Sequence, residues 1–188
     1  MNRQLLLDVI PAHAPALSNY IAGPNAAALA AARSLAPGRA IYLWGPPGCG
    51  RSHLLQALAS QPPAVYLDRT QGAAPLWALA QGDAAGTLPG LVAVDDVHLM
   101  DESSQAGLFA LYNRWRESAA TGQAFALALT GDRSPLSMPL REDLRTRLGW
   151  DLVFRLELLS DADKLAALAV QAANRGLQLQ PEVLNWML

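Results

Sequence analysis

Cysteine is almost missing from this chain. One thiol, Cys49, among 188 residues excludes an internal disulfide framework and fits a reducing, cytoplasmic setting. Long apolar runs are missing as well: none reaches the ~20 residues that a bilayer-crossing helix needs. The N-terminal residues carry charge without the apolar centre of a secretion signal. Positive charge is not in excess. Lys+Arg total 14 against Asp+Glu 16, a formal net charge of -2, so broad coating of DNA is not expected, while local basic patches stay open. His13, His53 and His98 share no metal-ligand spacing, and each is read as structural or solvent-facing. No repeat of fixed period runs through the alanine- and leucine-rich sequence.

What is present points one way. The chain is 52% apolar, enough for a real core, and its length suggests one domain with part of a second. Ile41-Tyr42-Leu43-Trp44 leads into Gly45-Pro46-Pro47-Gly48-Cys49-Gly50-Arg51-Ser52, and good helix formers follow from Leu54. A strand, a glycine-rich turn, a cation, a hydroxyl and a helix form the layout of a phosphate-binding loop. Backbone N–H groups at a helix N-terminus cradle phosphate oxygens. Gly45, Gly48 and Gly50 supply the positive φ angles and the close backbone approach that such a cradle needs. Arg51 is placed to reach the β and γ phosphates, and Ser52 can offer its hydroxyl to Mg²⁺. Arginine stands where lysine is usual, a hint that ordinary ATP turnover is not this chain's task. Cys49 supplies backbone as a small residue, not a nucleophile.

Periodicity and punctuation predict alternating strands and helices, hence an α/β fold with a mainly parallel sheet. Strands are expected over 40–44, 64–67, 91–94, 124–129 and 152–158. Helices are expected over 25–35, from 51 to the Pro62-Pro63 pair, within 71–80, over 104–118 and over 141–148. The run Leu91-Val92-Ala93-Val94 is apolar throughout, as an inner strand buried on both faces would be. Leu108, Leu111, Tyr112 and Trp115 share one helical face and are read as sheet-packing core. Ser160 with Asp163 suggests a capping box, opening a helix that ends near Gly176. Pro181 starts a further short helix whose apolar Leu184 and Trp186-Met187-Leu188 lack a cover, so a shortened helical region is expected there.

Two acids follow the third strand. Asp95 is suited to hold Mg²⁺ directly or through water, and Asp96 to orient or deprotonate an attacking water. Thr130-Gly131-Asp132 ends the fourth strand, where a polar group can report on a γ-phosphate; a plain turn explains it nearly as well. Arg141, Arg145 and Arg147 lie among Glu142 and Asp143. They are either exposed salt-bridge partners or include one finger aimed at a neighbour's nucleotide, and spacing leaves both readings open.

Together these segments resemble the AAA+ ATPase module of the DnaA replication-initiator family. The likeness rests on Tyr20-Ile21-Ala22-Gly23-Pro24-Asn25, Gly50-Arg51-Ser52-His53-Leu54-Leu55, Asp95-Asp96, Leu129-Thr130-Gly131-Asp132-Arg133-Ser134-Pro135 and Asp143-Leu144-Arg145-Thr146-Arg147-Leu148-Gly149-Trp150. The Gly-Arg-Ser ending, the stretch Leu159 to Leu165 and the N-terminal Gln4-Leu5-Leu6-Leu7 are similar to the family's shorter Hda-type regulators. The resemblance implies a five-stranded parallel AAA+ P-loop core flanked by helices over 20–158. It also implies an N-terminal arm over 1–19 and the beginning of a truncated helical lid over 159–188, without the lid's second sensor arginine. It implies ADP or ATP with Mg²⁺ as ligands. Tyr20, Ile21 and Asn25 would sit around the adenine, beside Gly45, Pro46, Gly48, Cys49, Gly50, Arg51, Ser52 and His53 on the phosphates. Ser52 and Asp95 would hold the metal. Arg147 would be the arginine finger, Asp132 the first sensor and Asp96 the second acid.

Gln4, Leu5 and Leu7 would anchor on the DNA polymerase sliding clamp, apolar residues entering pockets with a glutamine at the rim. The implied function is regulation of replication initiation, with promoted hydrolysis of DnaA-bound ATP. DnaA and the clamp would be its partners, self-association stays open, and neither membrane nor strong direct DNA binding is expected. A self-sufficient AAA+ ATPase, such as a helicase loader or remodeller, and a non-catalytic adaptor propped by nucleotide are the competing readings.

Overall fold

The computed structural model describes residues 14–61, 63–82 and 89–174. Its centre is a five-stranded sheet of β1 (Ala40–Trp44), β2 (Ala64–Leu67), β3 (Leu91–Val94), β4 (Ala126–Gly131) and β5 (Leu152–Arg155). The strand order is β2-β3-β4-β1-β5, and every pairing is parallel. Among the described residues six α-helices flank it: α1 (Ala26–Arg33), α2 (Arg51–Ala59), α3 (Ala74–Gln81), α4 (Glu102–Ser118), α5 (Glu142–Leu148) and α6 (Asp161–Asn174).

Side chains alternate across each strand, so the sheet builds two cores. Ile41, Leu43, Ala93 and Ala128 bury one face with α1 and α2, through Ala28, Leu29, Leu54, Leu55 and Leu58. The small Ala93 and Ala128 let α2 lie close to the strands. Tyr42, Val92, Val94, Leu127 and Leu129 bury the other face with Leu76 of α3, the 108/111/112/115 stripe of α4, and Leu144 and Leu148 of α5. The helix after β1 thus covers one face and the helices after β3 and β4 the other. β1 and β4 stay paired to their last residues and then send the chain to opposite faces of the sheet, the topological switch point at which open α/β sheets carry a ligand crevice.

The sequence-based boundaries shift for identifiable reasons. The fourth strand runs through Thr130 and Gly131 because β1 supplies partners there, Leu43 opposite Thr130 and Trp44 opposite Gly131. Its expected first residues belong to a turn closed by Ala124 N–H on Thr121 O at 3.2 Å. The fifth strand stops at Arg155, since β1 stops at Trp44; Leu156 N–H on Trp44 O at 2.6 Å is the last rung. Asp101 accepts from Ser104 N–H at 2.7 Å and so starts α4 two residues early. The 71–80 helix begins later, at Ala74, after a short turn over Arg69–Gln71 that Asp68 and Gln71 cap reciprocally. The Ser160/Asp163 box is formed: Asp163 N–H donates to Ser160 Oγ at 3.1 Å. The expected end of that helix near Gly176, the segment after Pro181 and the anchor Gln4, Leu5 and Leu7 all lie outside the described residues.

Candidate nucleotide site

The 45–52 loop joins β1 to α2 under the crevice. Gly48 and Gly50 take the left-handed backbone, φ +83 and +92. Gly45 is needed for space instead: a Cβ there would lie 2.3 Å from the Leu156 carbonyl oxygen. Cys49 is buried, its N–H turns onto Pro46 O at 3.3 Å, and burial pushes its thiol up. Burial and a raised thiol both disfavour a nucleophilic role for it. The first rung of α2 is Leu54 N–H on Gly50 O, 3.0 Å. The amides of Arg51, Ser52 and His53 therefore precede the helical ladder, and the positive end of the helix dipole adds to them. An anion is the natural guest of such a terminus.

Tyr20 walls this loop. A Cβ on Gly50 would meet its ring at 3.2 Å, and its ring stands edge-on to His53 with centroids 5.5 Å apart. Its hydroxyl is buried without a hydrogen-bond partner, and burial pushes the phenol up to about 12. His53 Nε2 pairs with Asn19 Oδ1 at 2.9 Å, and burial lowers its pKa. Ile21 is half-buried beside them. Asn25 is engaged elsewhere. Its amide clamps Glu157, Nδ2 donating to the carbonyl at 2.9 Å and Oδ1 accepting from the N–H at 2.8 Å, which fixes the entry of α1 against the exit of β5.

Arg51 folds inward. Its Nη1 donates to Gly45 O at 2.9 Å and to Gly131 O, and its Nη2 lies 3.6 Å from Asp96 Oδ1. One guanidinium thereby ties the ends of β1 and β4 to the acid after β3. Asp95 is buried, at 4% exposure. Its Oδ1 accepts from Thr130 Oγ1 and from Asp96 N–H at 3.0 Å; its Oδ2 accepts from Tyr66 OH at 2.6 Å. Burial first, and then this bond to Asp95, hold the Tyr66 phenol well above its ordinary pKa. Asp96 has φ 48 and ψ 48, and among the described residues it is the one non-glycine with positive φ. Such strain concentrates at functional positions. Its Oδ1 and His98 Nδ1 are both buried without hydrogen-bond partners, 3.8 Å apart.

Asp132 is clasped by its neighbour, Arg133 Nε and Nη2 reaching its two oxygens at 2.9 and 2.5 Å. That bond holds the Asp132 carboxyl below its ordinary range. His98 was not singled out for chemistry by spacing, yet the turn after Asp96 brings it to this acidic edge. Among the described residues no three His, Cys, Asp or Glu side chains gather as a metal cluster.

The three arginines of the 141–148 segment separate. Arg141 pairs with Asp143 at 2.8 Å, and Arg145 donates to Leu136 O at 3.4 Å. Arg147 lies over the Phe109 ring at 3.7 Å and the Trp150 ring at 5.0 Å, with Nη1 donating to Asn113 Oδ1. Phe109 and Asn113 were missed from the sequence. Their i,i+4 spacing beside the buried α4 stripe was the available signal.

The five-stranded parallel α/β fold, flanked by helices, is like that of solved DnaA and RuvB structures. No protein-family model matches the chain. Among solved structures it is similar to AMPPCP-bound DnaA from Aquifex aeolicus, with TM-score 0.72 and 22% identity, covering 93% of this chain and 59% of that one. Domain III of Thermotoga maritima DnaA gives TM-score 0.72 and 22% identity, covering 91% of this chain and 78% of that one. The Thermotoga maritima RuvB branch migration motor gives TM-score 0.56 and 19% identity, covering 76% and 45%. The chain thus spans under two thirds of that Aquifex aeolicus DnaA chain, and at these identities the likeness establishes the fold. Among the described residues no helix is long and apolar enough to cross a membrane.

Proposed function

We propose that this chain binds an adenine nucleotide at its 45–52 loop and regulates replication initiation by presenting Arg147 to ATP held on DnaA. The observation that carries the reading is the state of the chain's own second acid. Asp96 faces the Arg51 guanidinium at 3.6 Å, so the group that would activate water for its own hydrolysis is already matched to a cation. Arg147 is not drawn into that pairing; its half-buried guanidinium rests on the Phe109 ring and donates to Asn113 Oδ1. A finger supplied to a neighbour's phosphoryl group accelerates transfer by about 10³–10⁵. The AMPPCP held by the similar DnaA supports an adenine nucleotide as the ligand here. Gln4, Leu5 and Leu7 complete the proposal as an anchor on the sliding clamp, which would concentrate the chain where DnaA is to be inactivated.

The test is hydrolysis of radiolabelled ATP preloaded on DnaA, with clamp-loaded DNA and this chain. Stimulation lost in Arg147→Ala with ADP binding kept supports the finger; stimulation that survives refutes it. The strained backbone and unpartnered oxygen of Asp96 favour one alternative, an ATPase complete in itself. Brisk phosphate release by the chain alone distinguishes that case.

A further inference from the structure

We propose that the 45–52 crevice takes its nucleotide without a divalent metal ion, the Arg51 guanidinium serving as its resident cation. The inference rests on the nucleotide reading above and concerns what accompanies the phosphates.

A metal in a site of this layout needs the loop hydroxyl and an acidic oxygen with a free lone pair facing it. Ser52 can supply the first. The acids supply it poorly: three of the four lone-pair sites of Asp95 are taken and the residue is buried, Asp132 is held by Arg133, and the oxygen left without a hydrogen-bond partner, Asp96 Oδ1, faces the Arg51 guanidinium. Asp95 Oδ1 already accepts from the Thr130 hydroxyl and the Asp96 N–H, and Oδ2 is capped by the Tyr66 hydroxyl at 2.6 Å. Tyr66 is itself fixed by Gln56 Nε2 at 3.1 Å, and Asp95 is only 4% exposed. Asp96 faces Arg51, and Asp132 is gripped by both arms of Arg133. The acids that would recruit a hard cation are thus matched to hydroxyls or guanidinium groups.

Arg51 stands where positive charge is wanted. Its donors reach the Gly45 and Gly131 carbonyls, so it spans the crevice between β1 and β4, and its side chain is 11% exposed. A guanidinium remains charged at every physiological pH and offers five donors in a planar fork suited to phosphate oxygens. A divalent ion brought beside this fork would meet like-charge repulsion, felt strongly where water is scarce. The diphosphate then rests on the amides of residues 51–53 and on the guanidinium.

The experiment is titration of the full chain with ADP by calorimetry, once in magnesium chloride and once in EDTA. The two dissociation constants are expected to agree within about threefold, under 0.7 kcal/mol. Any larger tightening by magnesium overturns the inference while leaving the nucleotide reading intact. No binding in either buffer overturns the nucleotide reading, and this inference with it. Two variants, checked for folding by circular dichroism, probe the cause. Tyr66→Phe frees Asp95 Oδ2 and is expected to make ADP affinity respond to magnesium by about tenfold; an unresponsive variant contradicts the capping argument. Arg51→Ala is expected to lose at least about tenfold in ADP affinity even in EDTA; retained affinity there contradicts the resident cation.

Discussion

The Arg147 guanidinium carbon lies 3.7 Å from the centroid of the Phe109 ring, and Asn113, one helical turn on, accepts a hydrogen bond from the same group. A long, flexible side chain is thereby held in one pose before any partner arrives. Lost rotamer freedom on binding is correspondingly smaller. Phe109→Leu keeps the apolar volume but removes the ring face, an interaction of about 0.5–1 kcal/mol at a partly exposed site. Stimulation of DnaA-bound ATP hydrolysis should fall by about two- to fivefold, the equivalent of that energy, with the melting temperature little changed. A wild-type rate in this variant would show that the shelf does not matter.

Asn25 makes two hydrogen bonds to the backbone of Glu157 and is itself 4% exposed. Asn25→Ala leaves a buried N–H and a buried carbonyl unpaired, at about 1–3 kcal/mol each. Urea denaturation should show a loss of about 2–4 kcal/mol in total, since some water will reach the site. A loss under about 0.5 kcal/mol would mean the clamp is not formed in solution.

Gly45 and Gly72 form a matched pair for substitution by alanine. At Gly72 a Cβ meets nothing within 4 Å, although φ is +67; at Gly45 it meets the Leu156 carbonyl oxygen at 2.3 Å. Gly72→Ala should cost about 1–3 kcal/mol from its backbone alone, φ 67 and ψ -160, a region essentially confined to glycine. Gly45→Ala must displace backbone, and should cost more stability and abolish ADP binding. Equal stability losses in the two variants would contradict the close approach of β5 to the loop.

Asp151 accepts from Arg39 Nε at 2.7 Å, from Arg39 Nη2 at 2.6 Å and from Ala40 N–H at 2.8 Å. These bonds, the Arg39 side chain first, hold its carboxyl below the ordinary range. A depressed acid stabilises the fold above its unfolded pKa of about 3.9 and loses that contribution as pH falls through the lower folded value. Asp151→Asn should therefore lower the melting temperature near neutral pH, with the difference shrinking as the wild type is acidified below about pH 4. A difference that stays constant across that range would contradict the linkage.

Much of this molecule is legible in its residues. The alternation of apolar runs and helix formers gives the parallel sheet, and Gly48, Gly50 and Arg51 mark the loop. The four-residue run before Asp95 reads as an inner strand because nothing in it tolerates water. Strand ends are harder, since they are set by partners: β4 extends to Gly131 only because β1 pairs with it. Side-chain direction is harder still. Nothing local tells that Arg51 turns back to the Gly131 carbonyl, 80 residues away in sequence. Nor does local sequence tell that Tyr66 caps Asp95, that Asn25 clamps Glu157, or that His98 joins the acidic edge. Those contacts follow from strand order, which periodicity does not encode.

The most direct measurement compares two full-length variants in one assay, single-turnover hydrolysis of ATP preloaded on DnaA with clamp-loaded DNA. Asp96→Asn removes the chain's own candidate base, and Arg147→Ala removes the proposed finger. Asp96→Asn is expected to stimulate hydrolysis about as well as the wild type, and Arg147→Ala to give no more than DnaA alone. Stimulation that depends on Asp96 and tolerates the loss of Arg147 would contradict the central claim.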